Sequence, residues 1–549
     1  MESQRSLLFI ALMVVTYLLF SQWQQDKMPI AQPVSQNITT ENGNQSADYI
    51  PQASEHNAAP KDKTITNAKI ITVKTGVLAV KINTQGGDIV EAKLLKYNTE
   101  LNNGIPFPLL HNGAYTYIAQ SGLIGSNGLD QVIAGRPIYA TSAQHYEIKD
   151  GQQQLSVDLT YQDDNALSVT KRFTFTANDY AVKVDYIINN NTEQNASVQL
   201  YGQLKQTIEV PKKSGAMPTS AYRGAAYATA EDRYNKFHFD DFEDEKLNLT
   251  TKNGWVAMIE HYFVSAWVPK DKGENQLYSN YTANGIAIIG FKEPPFTIAA
   301  KTTETTSAIL YVGPKDQNKM AEIADGLDLT IDYGFLFMIS QPLFWLLTHI
   351  YDLVGNWGLA IIVITLIVKG GMYPLTKVQY TSMARMRELQ PKMAALKDRF
   401  GDDRQKMGQA TMALYKKEKV NPAGGCFPLL LQMPIFLALY WVFLESVELR
   451  QAPFFLWIQD LSAMDPYFVL PVLMGISMFI MQKMQPVTVQ DPMQQKIMKY
   501  MPVVFSVFMA WFPSGLVLYW FVSNVISIVQ MKIIFNGIEN KKQQLAKNK

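Results

Sequence analysis

The sequence predicts a multidomain membrane protein with an N-terminal anchor, a large antiparallel β-domain and a helical membrane core. The polar first half contrasts with a second half rich in Phe, Trp, Met, Leu and Ile, although the mean hydropathy of the whole chain is -0.06. Apolar and polar residues alternate with a period of two across the middle of the chain, and long apolar runs follow. A length of 549 residues also exceeds what one hydrophobic core usually serves.

Composition argues against several classes of function. A net charge of +1 gives no support to nucleic-acid binding over the whole surface, because phosphate recognition needs a basic face. The single cysteine, Cys426, excludes an intrachain disulfide framework, and the six histidines lack metal-ligand spacing. We therefore expect no metal and no cofactor.

The N-terminus predicts a transmembrane anchor in residues 1–23. The apolar run Ser6–Phe20 follows Arg5 and precedes the interfacial residue Trp23. No small-x-small cleavage site follows, so an uncleaved anchor is favoured over a removed signal peptide. Residues 24–64 are rich in Gln, Asn, Pro, Ala and Ser, which is typical of a flexible linker.

Residues 65–330 predict an extracytoplasmic β-domain. Period-two alternation, punctuated by Asn, Gly and Asp, is typical of an antiparallel sandwich. The predicted strands are Val77–Ile82, Gln154–Tyr161, Ser168–Thr176, Ala181–Ile188, Ser197–Gln203, Gly285–Phe291 and Ser307–Val312. A carbohydrate site could be built from Trp255, Trp267, Tyr222 and Arg223, but packing in the core or at its rim is the favoured interpretation.

Residues 331–535 predict the membrane core. With the anchor, its spans give six crossings, several of them short and interrupted by proline, which implies a locally thinned bilayer. The predicted spans are Leu353–Leu375, Phe427–Leu444, Tyr467–Gln482, Tyr500–Phe512 and Leu516–Phe535. Before them, Tyr333–His349 has the pattern of an amphipathic helix lying in the outer interface.

Charge predicts the orientation. The loop 376–420 carries eleven Lys and Arg residues, and the positive-inside rule places it in the cytoplasm. Both termini then lie inside, including the basic tail 536–549, and the β-domain lies outside. Within the loop, Met383–Phe400 and Arg404–Lys419 have helical spacing and predict a cytoplasmic hairpin.

Lys369 is the strongest single candidate for a functional residue. It lies in an apolar span, where a cation costs about 2.5 to 3.5 kcal/mol at mid-bilayer. Thr365 shares its helical face, and the last span carries a polar stripe of Trp520, Ser523, Asn524 and Ser527. These stripes fit a hydrated cavity. The alternatives are snorkelling of Lys369 and hydrogen bonding between helices.

Several motifs closely resemble the YidC family of membrane protein insertases. They follow the family's order through the membrane core, and the anchor with its β-domain resembles Gram-negative members. The motifs are Gly355–Gly358, Met372–Thr376, Asn421–Pro428, Gln432–Phe436, Asp491–Lys496 and Phe512–Trp520.

The resemblance implies a β-supersandwich and a five-helix insertase core around a hydrophilic groove, open to the cytoplasm and to lipid. It implies that the protein inserts nascent membrane proteins, alone or with the Sec translocon. Ribosomes and membrane lipid are further implied partners, and the protein would act as a monomer or as part of a larger complex. The family usually has arginine where this chain has Lys369. Lysine keeps the positive charge but lacks the planar guanidinium group that binds a carboxylate through two hydrogen bonds. The implied groove residues are Thr365, Lys369, Gln432, Phe436, Tyr519 and Trp520, and Asn524 joins them from the polar stripe.

The sequence leaves two other functions as alternatives. A small-solute transporter would use Lys369 as a coupling site, yet the spans show no inverted repeat by inspection. An intramembrane enzyme would need a nucleophile with a base or paired carboxylates, and Glu445, Asp465 and Ser514 pair with no histidine in the sequence pattern. We expect no enzyme activity and therefore no catalytic residue.

Overall fold

A computed structural model describes residues 49–52, 68–130, 136–163, 166–209, 221–270, 273–400, 403–418, 420, 427–485 and 492–547. The predicted anchor, residues 1–23, and nearly all of the predicted linker lie outside this described part. Strands lie between residues 70 and 314 with one short helix among them, and the other helices follow.

In chain order the strands are β1 (Ile70–Lys74), β2 (Leu78–Asn83), β3 (Asp88–Asn98), β4 (Pro106–Asn112), β5 (Thr116–Ile124), β6 (Ala140–Thr141), β7 (His145–Glu147), β8 (Gln154–Tyr161), β9 (Leu167–Thr176), β10 (Ala181–Asn190), β11 (Ala196–Thr207), β12 (Gly224–Ala228), β13 (Asn235–Phe237), β14 (Asn248–Lys252), β15 (Trp255–Ile259), β16 (Phe263–Pro269), β17 (Glu274–Thr282), β18 (Ile286–Lys292), β19 (Phe296–Ile298) and β20 (Thr303–Pro314).

The helices are α1 (Asp241–Asp244), α2 (Gln317–Ile323), α3 (Phe337–Val354), α4 (Trp357–Gly371), α5 (Tyr373–Glu388), α6 (Gln390–Phe400), α7 (Arg404–Lys417), α8 (Phe427–Glu445), α9 (Val469–Met484), α10 (Pro492–Met509) and α11 (Ser514–Lys547). Short 3-10 turns lie at Leu327–Thr330, Gly334–Leu336 and Val447–Leu449.

The β-domain consists of two large sheets. One has eleven strands in the order β14-β17-β18-β11-β5-β4-β3-β2-β1-β7, with β19 paired to β11, and the other has nine in the order β13-β12-β15-β16-β20-β10-β9-β8-β6. Neighbours are antiparallel except β1 and β7. Each of the seven predicted strand segments coincides with a strand, because one face of each packs on a continuous apolar core.

Trp255 and Trp267 belong to the interior of this domain. Both side chains are buried, and their indole N–H groups donate to the backbone oxygens of Asp325 and Gln203 at 3.0 and 3.2 Å. A sugar-stacking surface needs exposed rings, so packing explains both tryptophans. Tyr222 and Arg223 are half-buried and come just before β12, which pairs with the strand of Trp255.

The inward row of β9 contains a buried cation. Leu167, Val169, Phe173 and Phe175 point into the core, and the period of two places Lys171 among them. Its Nζ donates to the backbone oxygens of two residues at 3.0 Å, and carboxylates lie nearby.

A charged cluster surrounds that lysine. Arg136 donates from Nε to Asp130 at 2.8 Å and from Nη1 to Asp88. Its Nη2 donates to the carbonyl of Ser121 at 2.9 Å. Gly86 lies against this guanidinium with φ +71°, and a Cβ there would come within 2.3 Å of Arg136 Cζ. A glycine is therefore required at the turn.

The stability of the β-domain is expected to rise with pH between about 7 and 9. Burial lowers the pKa of Lys171 to about 7, whereas an unfolded lysine titrates near 10.4, so the unfolded chain binds more protons in this window. The gain is on the order of 1 kcal/mol per pH unit, and below about 7 it vanishes because both states are protonated. Hydrogen exchange of β9 peptides in the intact, detergent-solubilised protein, corrected for chemical exchange, measures it. A Lys171→Met variant with the same slope would contradict this assignment.

The β-domain is fused to the helices through a buried junction. Lys315, just after β20, pairs with Glu445 at the end of α8 at 3.2 Å, and both side chains are buried. His261 contacts the Leu444 carbonyl at 2.8 Å, and Arg450 donates to the Asn98 carbonyl while lying over two aromatic rings. One apolar cluster runs from the outer face of the nine-stranded sheet into the helices. We call the helix ends next to this junction the proximal ends.

The Lys315–Glu445 pair is expected to behave as a coupled unit. Lys315→Met or Glu445→Leu alone leaves an uncompensated buried charge and should cost about 3 to 5 kcal/mol, whereas the double variant should cost much less. Thermal unfolding in detergent measures all three. The exposed pair Lys319–Glu322 serves as the matched control and should contribute near zero. Additive losses at the buried pair would contradict the coupling.

Two helices are long and apolar enough to cross a membrane, within the described residues: Gly334–Val354 and Ser514–Asn540. A bent pair, α4 with α5, passes the same test as one span with a bend of 67°. Each of the five predicted core spans contains a helix, and the number of crossings stays a prediction. The predicted interfacial segment, Tyr333–His349, covers the 3-10 turn Gly334–Leu336 and most of α3, and apart from Tyr333 it falls within the first of these two candidate spans. The buried residues of α3 lie on one face of the helix.

Prolines explain where helices bend or break. Pro374 would clash with the Gly370 carbonyl in a continuous helix, which accounts for the bend at Met372. Met383–Phe400 was expected as one helical stretch, but the chain leaves the helix at Leu389. Pro391 supplies no N–H and collides with a carbonyl four residues earlier, so that break follows from covalent geometry.

Candidate functional site

Lys369 lies in the last turn of α4, against α11. Its side chain is 6% exposed, and Nζ donates to Ser527 Oγ at 3.0 Å. In the described part of the chain its ammonium group has no carboxylate partner. The site therefore holds an unneutralised cation among apolar helices.

The polar partners of Lys369 come from one face of α11. Ser527 accepts from the lysine and donates to the Ser523 carbonyl at 2.8 Å. Gln530 donates to the Lys369 carbonyl at 3.3 Å, and its Oε1 is buried without a hydrogen-bond partner among the described residues. Tyr380 on α5 also hydrogen-bonds to Ser527. A cation, a hydroxyl and an unused amide oxygen thus meet at the α4–α11 contact.

Sequence reasoning did not select Gln530 or Ser477. Gln530 follows Ser527 by three residues, so extending the stripe by one helical step would have found it. Ser477 lies in apolar α9 and accepts from Asn524 Nδ2 at 3.1 Å. Asn524 therefore faces α9 rather than Lys369, and it joins two helices.

An aromatic layer lies on the proximal side of the lysine. Phe436 on α8 meets Trp520 edge-on at a centroid distance of 4.4 Å and stacks near Tyr519 at 6.1 Å. Phe505 on α10 packs on Trp520 at 4.7 Å, and Phe443 meets Tyr519 at 5.8 Å. Seven residues of α11 separate Trp520 from Ser527, about 10 Å along the axis. Three predicted residues thus form a separate layer above the cation.

Two predicted residues occupy the margins of the site. Thr365 is fully buried and donates to its own helix at the Ile361 carbonyl. It is thus shielded inside the bundle and faces no open surface. Gln432 is half-buried on α8, one helical turn before Phe436.

The proximal end of the site is closed by residues 450–466, which we call the outer plate. Ser514 at the start of α11 donates through N and Oγ to the Ala463 carbonyl at 2.7 and 2.5 Å. Gly515 N donates to Leu461 O at 2.8 Å, and Asn356 before α4 donates to the Pro453 carbonyl at 3.3 Å. The plate satisfies the proximal backbone groups and covers that end of the bundle.

The opposite end carries positive charge. Helices α6 and α7 pack together there, and Lys392 pairs with Glu418. Most of their remaining basic side chains are exposed: Lys406, Lys416 and Arg399 among them. Within the described residues, no group of three His, Cys, Asp or Glu side chains could hold a metal ion.

Comparison with known proteins covers nearly the whole chain. Residues 70–346 match the family model described as "YidC periplasmic domain", and residues 349–542 match the one described as "60Kd inner membrane protein". A protein of Shewanella baltica (strain OS195) called "Membrane protein insertase YidC" is 52% identical, with 98% of this chain and 99% of that protein covered.

Two further proteins are similar to this chain. A protein of Aeromonas hydrophila subsp. hydrophila with the same name is 52% identical, again over 98% of this chain and 99% of that protein. The solved structure entitled "Active YidC insertase crystal structure with the first transmembrane domain resolved" has a TM-score of 0.37 and 21% identity, and covers 85% of this chain and 92% of that one.

Proposed function

This chain belongs to the YidC family of membrane protein insertases, and from that premise we propose that a client's polar end is received beside Lys369 before its apolar segment enters the lipid. Insertion of membrane proteins into the inner membrane is the function its relatives carry by name, and it is not an enzymatic one. The finer proposal concerns how this chain's side chains perform it.

The observation that carries the proposal is the unneutralised Lys369. A buried cation without a carboxylate is costly, so a carboxylate brought by a client would be held where the protein supplies none. The free Oε1 of Gln530 can accept a further hydrogen bond from a polar tail, whereas the Ser527 hydroxyl is already engaged by Lys369, Tyr380 and the Ser523 carbonyl. An acidic or polar segment is therefore the ligand that this site favours.

The proposed orientation places the basic hairpin in the cytoplasm and the β-domain outside. Loops rich in Lys and Arg are retained in the cytoplasm, so the exposed cations of α6 and α7 favour the cytoplasmic side for the hairpin. Both termini then lie in the cytoplasm. The hairpin is the proposed docking surface for ribosomes, and the Sec translocon is a proposed partner on the grounds of family resemblance.

The proposed direction in which the client moves follows from the end of the bundle that the plate closes. The outer plate covers the proximal end, and the aromatic layer separates it from Lys369. A polar tail would thus enter from the cytoplasmic side. The apolar segment would leave sideways along α10, whose exposed residues include Val503, Val504 and Val507. Hydrophobic burial and the membrane potential supply the driving force.

Lysine in place of arginine changes which property of the client tail the site recognises. An ammonium group attracts a carboxylate from many directions, whereas a guanidinium fork selects a planar, bidentate arrangement. Tail charge rather than tail geometry should therefore govern capture in this protein.

Replacing the charge at position 369 should reduce insertion of clients with acidic tails. Lys369→Ala and Lys369→Glu are expected to slow insertion of a single-span client about fivefold or more, because about 1 kcal/mol of lost attraction has that effect on a rate. Lys369→Arg should retain the parent rate. Protease protection of the client's translocated tail in proteoliposomes measures insertion.

Two controls separate the electrostatic role from damage to the fold. Lys377→Ala removes an exposed cation close by and should change nothing. The same client with a neutral tail should be less sensitive to Lys369→Ala than the acidic one. Equal insertion by the Ala, Glu and parent proteins would show that the charge has no such role.

Photocrosslinking should locate the client. A photoreactive residue at Ser527 is expected to capture the polar tail of a stalled nascent chain, and one at Phe436 its apolar segment. Val529, two residues from Ser527 and 51% exposed on another face of α11, is the matched control. Crosslinks of equal yield from Ser527 and Val529 would argue against a defined site.

A further inference from the structure

The outer plate ends in an apolar turn, Phe454–Ile458, and we propose that this turn inserts into the outer leaflet of the bilayer and anchors the plate there. The partner is a lipid surface at the boundary between headgroups and acyl chains. The proposal rests on the orientation proposed above, although it concerns a surface distinct from the Lys369 site.

The turn is rigid and displays its side chains outward. Phe454 N donates to the Ile458 carbonyl at 2.9 Å, and Ile458 N donates to the Phe455 carbonyl at 3.2 Å. At the tip, Leu456 is 80% exposed and Phe455 is 52% exposed. Two large apolar side chains are thus held outside the protein by a closed hydrogen-bonded turn.

The backbone of the tip is also unusual. Leu456 has φ +56°, a left-handed conformation that glycine or asparagine adopts at low cost and leucine does not. A water-exposed turn gains nothing from leucine at that position. In lipid the leucine side chain would be buried, and this favourable burial offsets the strain of the left-handed backbone.

The surroundings of the turn favour lipid over a protein partner. Asn356 hydrogen-bonds to the Pro453 and Phe454 carbonyls, which places the turn beside the end of α3, where Leu353 is 87% exposed. On its other side, Trp457 donates to Asp465 at 2.9 Å, next to the exposed Tyr467. The exposed groups continue the apolar outer faces of helices α3 and α9, and they include the aromatic residues typical of a membrane interface.

Charge supports the same placement. Residues 452–458 contain no charged side chain, and Arg450 and Asp460 flank them. Asp460 Oδ1 accepts from Gln451 N, Ser462 N and Ser462 Oγ at 2.7 to 3.0 Å, so it is bound into the plate. An apolar tip on a polar base is the pattern of an interfacial anchor. Insertion of the tip would set the depth of the plate, and through Ser514 that of α11.

Depth-dependent fluorescence quenching tests the anchor. In a Cys426→Ser background, Leu456→Cys would carry an environment-sensitive bimane label, with the full-length protein in nanodiscs that hold one copy. We expect a blue-shifted emission and quenching by a lipid with a nitroxide at a shallow acyl position, at least twofold stronger than at a control site. The control is Thr305→Cys, at the far end of β20 from Lys315 and about 30 Å from the junction.

The outcomes distinguish the possible occupants. Quenching no stronger than at position 305 would overturn the proposal, and so would a blue shift that appears only in nanodiscs with two copies, since a second chain would then cover the turn. A second label at Phe455→Cys, combined with Leu456→Asp, should lose at least half of its quenching. Because insertion of an acidic-tailed client is measured separately, failure of the anchor and failure of the Lys369 site are distinguishable.

Discussion

The contact between Lys369 and Ser527 fixes how α4 and α11 face each other, and the remaining polar groups of the bundle are arranged around it. A cation buried at a helix–helix contact needs polar partners from the protein, because apolar neighbours offer it no hydrogen bonds. Ser527 accepts from the ammonium group, and Gln530 on the same face of α11 donates to the backbone carbonyl of Lys369. The same face carries Trp520 one layer higher, so a single helix presents both the polar and the aromatic parts of the site.

Closure at one end gives this arrangement a direction. The outer plate hydrogen-bonds to the proximal starts of α4 and α11, and the β-domain is joined above it through the Lys315–Glu445 pair and apolar packing. Because the junction is buried and continuous, the β-domain acts as a rigid extension of the bundle rather than a tethered module. In the described part of the chain, this leaves the end of the bundle opposite the plate and the sides of the bundle as routes for polar material to Lys369.

The sequence predicted much of this architecture because its patterns are local. The alternation of apolar and polar residues in β9 predicted a strand, and the long apolar runs predicted helices. The family motifs supplied the function, which the comparisons confirm at 52% identity. The break at Leu389 was missed because proline was not weighed within the helical spacing. Gln530, Ser477 and the Lys315–Glu445 pair depend on which distant segments meet, and no local pattern contains that information.

Four lysines are buried in the described part of the chain, and three of them, Lys171, Lys315 and Lys369, have different surroundings. Lys171 has backbone oxygens and a charged cluster around it, and Lys315 has Glu445. Each of these two side chains has polar or charged partners within the fold. Lys369 is held by a hydroxyl and has no such counter-charge in the described part of the chain. In the proposed mechanism, an acidic client tail supplies the negative charge that the described residues do not provide at this site.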